Sequence, residues 1–142
     1  MNILIDLVPG TVNIDGEEYD INSDFRTSIL FELLMQDRDI PDERKTKIAL
    51  KLYYSEIPLN FKLAIEAMLW FYRCGKESKS ENTGETKKNY NKADMIYSFE
   101  EDDEYIYAAF LDQYGIDLQD IEYLHWWKFR AMFKSLKDDN KI

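Results

Sequence analysis

Apolar positions fall first at every second residue and then at every third or fourth. Val12 and Ile14 alternate with polar residues, as do Tyr19 and Ile21, and Asp15-Gly16 lies between the two pairs. Alternation on both sides of Asp-Gly predicts a β-hairpin over about 12–21 with one half-buried face. An isolated hairpin is marginal in water, so it must lean on helices. Asn22-Ser23-Asp24 then offers caps for a helix carrying Phe25, Ile29 and Leu33. Asp37 to Pro41 interrupts that spacing. Pro41 opens a second helix, whose apolar side is Ile48, Ala49 and Leu52. Pro58 opens a third, apolar almost all round (Leu59, Phe61, Leu63, Ile65, Met68, Trp70, Phe71), which predicts burial on most sides, and Gly75 stops it. Residues 76–93 turn polar and read as a flexible surface loop. Ser98 and Glu101 form a capping box for a fourth helix bearing Phe99, Ile106, Phe110 and Tyr114. The expected fold is mainly α: a single domain over 1–142, about five helices with an N-terminal β-hairpin.

The last helix carries the densest apolar signal. Gly115 ends the fourth helix, Asp117 is placed to cap the fifth, and five rings, counting His125, lie within residues 124–133. At 100° per residue, Leu118, Ile121, His125, Phe129, Met132 and Leu136 share one face, with Trp126 and Phe133 on its flank. Trp127 points the other way, beside Leu124 and near Arg130 and Lys134. One apolar face suffices for a core. The second makes Trp127, Leu124, Arg130 and Lys134 the candidate partner-binding residues, since Trp and Arg are the side chains that most often become interface hot spots.

Composition narrows the function classes. With 142 residues and 45% hydrophobic residues, the chain can bury a packed core. A net charge of −10 opposes nonspecific binding to nucleic acid or an anionic membrane, and no run approaches membrane-spanning length. The acids are interleaved with bases rather than gathered into a tail. The N-terminal nine residues are apolar but short, hold Asp6 and lack a basic leader, so they do not read as a signal peptide. One cysteine, Cys74, allows no intramolecular disulfide and suits a reducing cytoplasm.

Catalytic chemistry finds no support. The run Glu100-Glu101-Asp102-Asp103-Glu104 lacks the alternating oxygen ligands and turn glycine of a calcium loop, and acids at a helix start are favoured by its dipole. His125 is alone on an apolar face, where a hydrogen-bonded core role is the ordinary one. Cys74 has no metal-binding companions. There is no phosphate loop, GxSxG, HExxH or dinucleotide fingerprint. The expectation is a non-enzyme with no metal and no cofactor.

Four pieces of the chain, in order, are similar to one known family. They are Ile21-Asn22-Ser23-Asp24-Phe25-Arg26, then Trp70-Phe71-Tyr72-Arg73-Cys74-Gly75, then Tyr97 to Asp102 leading into Tyr105 to Phe110, and last Asp117-Leu118 with Leu124 to Arg130. The resemblance covers about residues 11–137, in order. The pieces resemble the phage gp-fifteen family, encoded in the tail modules of long-tailed phages and prophages of Gram-positive bacteria. The family usually has Asp where this chain has Ser98, a change that keeps a helix cap. The resemblance implies a tail assembly chaperone in the cytoplasm of the bacterial host. It would bind the tape-measure protein, with other tail proteins or a second copy as further partners, before the tail tube polymerises. The alternatives are a structural tail subunit retained in the virion and an acidic DNA mimic that inhibits a host nuclease or repressor.

Overall fold

The computed structural model describes residues 2–76, 99 and 101–139, with side chains to residue 136. Among these the elements run β1 (Thr11–Ile14), β2 (Glu17–Asp20), α1 (Phe25–Gln36), α2 (Asp42–Tyr53), α3 (Phe61–Tyr72), α4 (Asp103–Tyr114) and α5 (Trp126–Asp139). The class is mainly α with an N-terminal hairpin, as expected. The expected loop at 76–93 and the cap Ser98 lie outside the described residues, except Lys76. Two compact units emerge, residues 1–75 with 122–142, and residues 76–121.

In the first unit, Asp15 and Gly16 both take positive φ (56° and 82°), the conformation a two-residue hairpin turn requires. The register pairs Val12 with Tyr19 and Ile14 with Glu17. Val12 and Ile14 are buried, while Glu17, on the same face of β2, is exposed. Four helices, α1, α2, α3 and α5, complete this core. In α1 the buried stripe is Phe25, Ser28, Phe31 and Leu34, about one position round from the expected Ile29 and Leu33, which are half-buried. Ser28 is tolerated there because its hydroxyl pairs with that of Tyr53 at 2.6 Å. Pro41 precedes α2 as its N-cap residue rather than occupying its first turn. α3 starts at Phe61, capped by Asn60, whose side chain accepts from the Leu63 N–H at 3.1 Å.

α3 departs from expectation in a second way. Only Ala64, Met68 and Phe71 are buried, although apolar residues run almost all round the helix, broken by the narrow polar stripe of Lys62, Glu66 and Arg73. Leu59, just before it, is 95% exposed and Phe61 60%. An all-round apolar helix is commonly buried on most sides; here a single stripe meets the core.

The second unit is described through Phe99, α4 and the turn after it. Asp102 is the N-cap residue of α4, so Glu101 precedes the helix instead of forming the far half of a capping box. Ile106 and Phe110 are its buried residues, and Gly115 ends it in the left-handed conformation, φ 67°, as predicted. Asp117, the expected cap of the last helix, instead closes a turn, accepting from Gln119 N at its side chain and from Asp120 N at its carbonyl, both at 3.0 Å. The last helix begins nine residues later, at Trp126. Its cap is His125.

Candidate functional site

Three of the four sequence pieces that carry the family resemblance meet in the first unit, at the point where α1 and α5 begin and α3 ends. Asp24 and His125 face each other in an isolated antiparallel bridge. Phe25 N donates to the Leu124 carbonyl and Trp126 N to the Ser23 carbonyl, each at 2.8 Å. Each bridged residue also caps its own helix. One Asp24 oxygen accepts from Arg26 N at 3.2 Å and pairs with the Arg26 guanidinium at 3.0 Å; the other accepts from Leu124 N at 3.0 Å. His125 Nδ1 accepts from Trp127 N at 3.0 Å, which satisfies one of the free N–H groups of the first turn. Its proton then sits on Nε2, which donates to the Pro9 carbonyl at 2.7 Å. Burial lowers the pKa of His125, and the Lys128 charge pushes the same way against the Pro9 hydrogen bond. The ring is a neutral structural strut.

The end of α3 is closed by a Schellman motif. Gly75 N reaches the Trp70 carbonyl and Cys74 N the Phe71 carbonyl, each at 2.9 Å. The left-handed position normally given to glycine is held by Cys74, φ 62°, and Gly75 follows at φ 76°. The helix's last carbonyls take two further donors from α5. Trp127 Nε1 donates to the Phe71 carbonyl and Trp126 Nε1 to the Tyr72 carbonyl, both at 2.8 Å. The two neighbouring indoles thus cap another helix. Gly75 is needed for space as well as conformation, because a Cβ there would lie 2.8 Å from Trp127 Cη2.

Around these bonds the rings stack. Phe25 lies on Phe129 (4.9 Å, 13°), Phe129 beside Trp126 (5.7 Å, 14°) and Trp126 beside Tyr72 (5.9 Å, 16°). The Arg130 guanidinium covers Trp126 at 5.4 Å. Tyr72 gives its hydroxyl to the Glu32 carboxylate, and burial, with that carboxylate's help, raises its pKa.

The four candidate partner-binding residues are therefore split. Trp127 is 5% exposed, packed between Trp70 and Phe71, so its expected outward orientation is corrected: a helix that starts at Trp126 turns both indoles toward the end of α3. Arg130 is half-buried over Trp126, and Leu124 is half-buried with its backbone held in the bridge. Of the four, Lys134 alone is exposed.

Exposed apolar surface lies elsewhere. On α3 and its approach it comprises Leu59 and Phe61, with Ile65 and Leu69 half-buried along the same flank; the exposed edge of Trp70 lies half a turn round from Phe61, across the charged Lys62 and Glu66. At the N-terminus Ile3, Leu4, Ile5 and Leu7 project from a single turn in which Asp6 N reaches the Asn2 carbonyl at 2.8 Å. Helical spacing could have flagged Phe61, Ile65 and Leu69 as one stripe, at i, i+4 and i+8. Among the described residues no group of three or more His, Cys, Asp or Glu could hold a metal ion, and no helix is long and apolar enough to cross a membrane.

No curated protein and no solved structure matches this chain. A family profile does. Residues 4–142 match the family described as Bacteriophage Gp15 protein, nearly the whole chain and all four pieces read from the sequence; the chain belongs to that family, which supports a structural or assembly role in a bacteriophage.

Proposed function

We propose that this protein is a tail assembly chaperone that binds the tape-measure protein without chemistry and keeps it soluble until the tail tube polymerises around it. The observation that carries the reading is the uncovered apolar side of α3. Large exposed apolar patches mark binding surfaces more often than accidents of folding. Leu59 and Phe61, continued by the half-buried Ile65 and Leu69, form such a strip along one flank of the helix, suited to an apolar seam on a helical client. The net charge of −10 would keep the paired molecules soluble. The reaction-free mechanism, the host cytoplasm as its place and the departure of the chaperone before the virion is complete all belong to this proposal.

Co-expression with the tape-measure protein of the same tail module tests it. The tape measure should move from the pellet to the soluble fraction and co-purify with this chain, and mass spectrometry of finished virions should not find this chain. A chain retained in the virion at fixed stoichiometry would make it a structural subunit. Recovery of a host nuclease or repressor in place of tape measure would favour the DNA-mimic alternative.

A further inference from the structure

Away from that strip, the hairpin carries a second unpartnered feature. With Ile14 and Glu17 closing the two-residue turn, hydrogen-bonded and non-bonded pairs alternate along the ladder. The main-chain groups of Glu18 and Asp20 therefore point away from β1. The next outward group, Asn22 N, is taken by the Tyr53 carbonyl at 2.7 Å, and Asn22 Nδ2 bonds the Leu52 carbonyl at 2.5 Å. Among the described residues nothing takes those of Glu18 or Asp20. Beyond the Asn22 anchor a cavity of about 220 Å³ lies along this edge, lined by Glu17, Glu18, Tyr19, Asp20, Ser55 and Glu56. Glu17, Glu18, Asp20 and Glu56 are exposed, and the charged groups nearest the Tyr19 hydroxyl are Glu17, Glu56 and Asp15.

We propose that the open edge of β2 accepts an extended lysine- or arginine-rich segment of another protein as a third strand, its cationic side chains entering the acidic slot. Strand addition supplies main-chain hydrogen bonds at Glu18 and Asp20, and alternate side chains of the incoming strand meet the slot. Both faces of β2 are acidic, with Glu17 on one and Glu18 and Asp20 on the other, so a cationic strand is matched on either side. Tyr19 offers a ring along which a lysine or arginine stem can lie. A second copy of this chain is the wrong occupant, because pairing two β2 edges would set carboxylates against carboxylates. This surface is separate from the outer side of α3 and its occupancy does not depend on the tape-measure reading.

The test is an NMR titration of the isotope-labelled full chain with a blocked peptide of about seven residues alternating lysine and threonine. One control peptide has glutamate for each lysine. Another keeps every lysine but has proline for each threonine, which removes donors from the strand. The amides of Glu18 and Asp20 should shift and gain protection from exchange. The proline peptide should bind about tenfold more weakly, and so should the lysine peptide to a Glu17→Lys, Glu56→Lys double variant whose melting is unchanged. Equal binding of the proline peptide would mean attraction by charge without strand pairing and would overturn the proposal. So would unshifted β2 amides, or full affinity in the double variant, leaving the acids as guards of an exposed edge.

Discussion

Trp127 and Trp70 touch, with ring centroids 5.5 Å apart, yet they belong to different regions. Trp127 is 5% exposed and Trp70 37%. On the Trp127 side lies the junction of α1, α3 and α5, where both indole N–H groups of α5 close the carbonyl end of α3 and rings stack on four neighbours. On the Trp70 side lies the outer surface of α3, where the exposed Lys62 and Glu66 run between Phe61 and Trp70. Hydrophobicity alone does not separate the two. What separates them is the supply of polar partners: α3 ends in carbonyls that accept donors, and the buried indole N–H groups of Trp126 and Trp127 supply two of them. The junction is thus built to be closed, whereas the outer strip makes no comparable polar demand.

The largest test of this contrast is truncation at the junction. Trp127→Ala and Trp126→Ala should each cost roughly 3–5 kcal/mol, since each removes a buried ring and one hydrogen bond to the carbonyl end of α3. Chemical denaturation of both variants checks this. If Trp127→Ala cost under about 1 kcal/mol, Trp127 would belong with Trp70 on the surface and the division would fail.

A smaller effect is expected at Gly75. Its positive φ and the 2.8 Å approach of Trp127 leave no room for a methyl group, and the indole is held by Phe71 and Trp70. Gly75→Ala should lower stability by roughly 1–3 kcal/mol. A melt unchanged by this substitution would show that the indole can shift, and so that the junction is looser than its hydrogen bonds imply.

Acid sharpens the same comparison. His125 is the one histidine in the chain, and its folded pKa lies below the ordinary 6.5 because burial disfavours the charged ring. The unfolded chain therefore binds the proton first as pH falls. The stability due to the neutral ring is complete above about pH 6.5 and is lost as pH drops from there toward the lowered folded value. Protonation at Nδ1 would turn the acceptor toward Trp127 N into a donor. Denaturation midpoints should fall between about pH 7 and 5 in the native chain and much less in His125→Asn, which can still cap the helix. A flat native profile would contradict a His125 ring held neutral by burial.

How much of this was legible in the sequence depended on whether local chemistry decides the outcome. The hairpin followed from Asp15-Gly16, and the end of α4 from Gly115, because both are set by local backbone conformation. The start of α5 was not legible. Asp117 looks like a cap but spends its oxygens on a turn, while the actual cap, His125, belongs to a residue type seldom expected there. Helical periodicity counted from Leu118 therefore runs through eight non-helical residues before Trp126 and places Trp127 on the wrong side. Cys74 hides a left-handed position behind a residue with a Cβ, so Gly75 took the whole credit for ending α3. The breadth of apolar surface on α3 was plain from sequence, but how much of it is covered is a tertiary property that periodicity does not encode.

The smallest change in stability should accompany the largest change in binding, and it falls on the outer strip. Phe61 is 60% exposed, so Phe61→Ser should move the denaturation midpoint by no more than about 0.5 kcal/mol. The decisive measurement is the amount of tape-measure protein held soluble by Phe61→Ser relative to the native chain in the same co-expression. The account predicts an unchanged melt and a loss of soluble client of about tenfold, the size expected for a central apolar anchor. Client recovery equal to that of the native chain, from a variant just as stable, would contradict the assignment of this strip to the client.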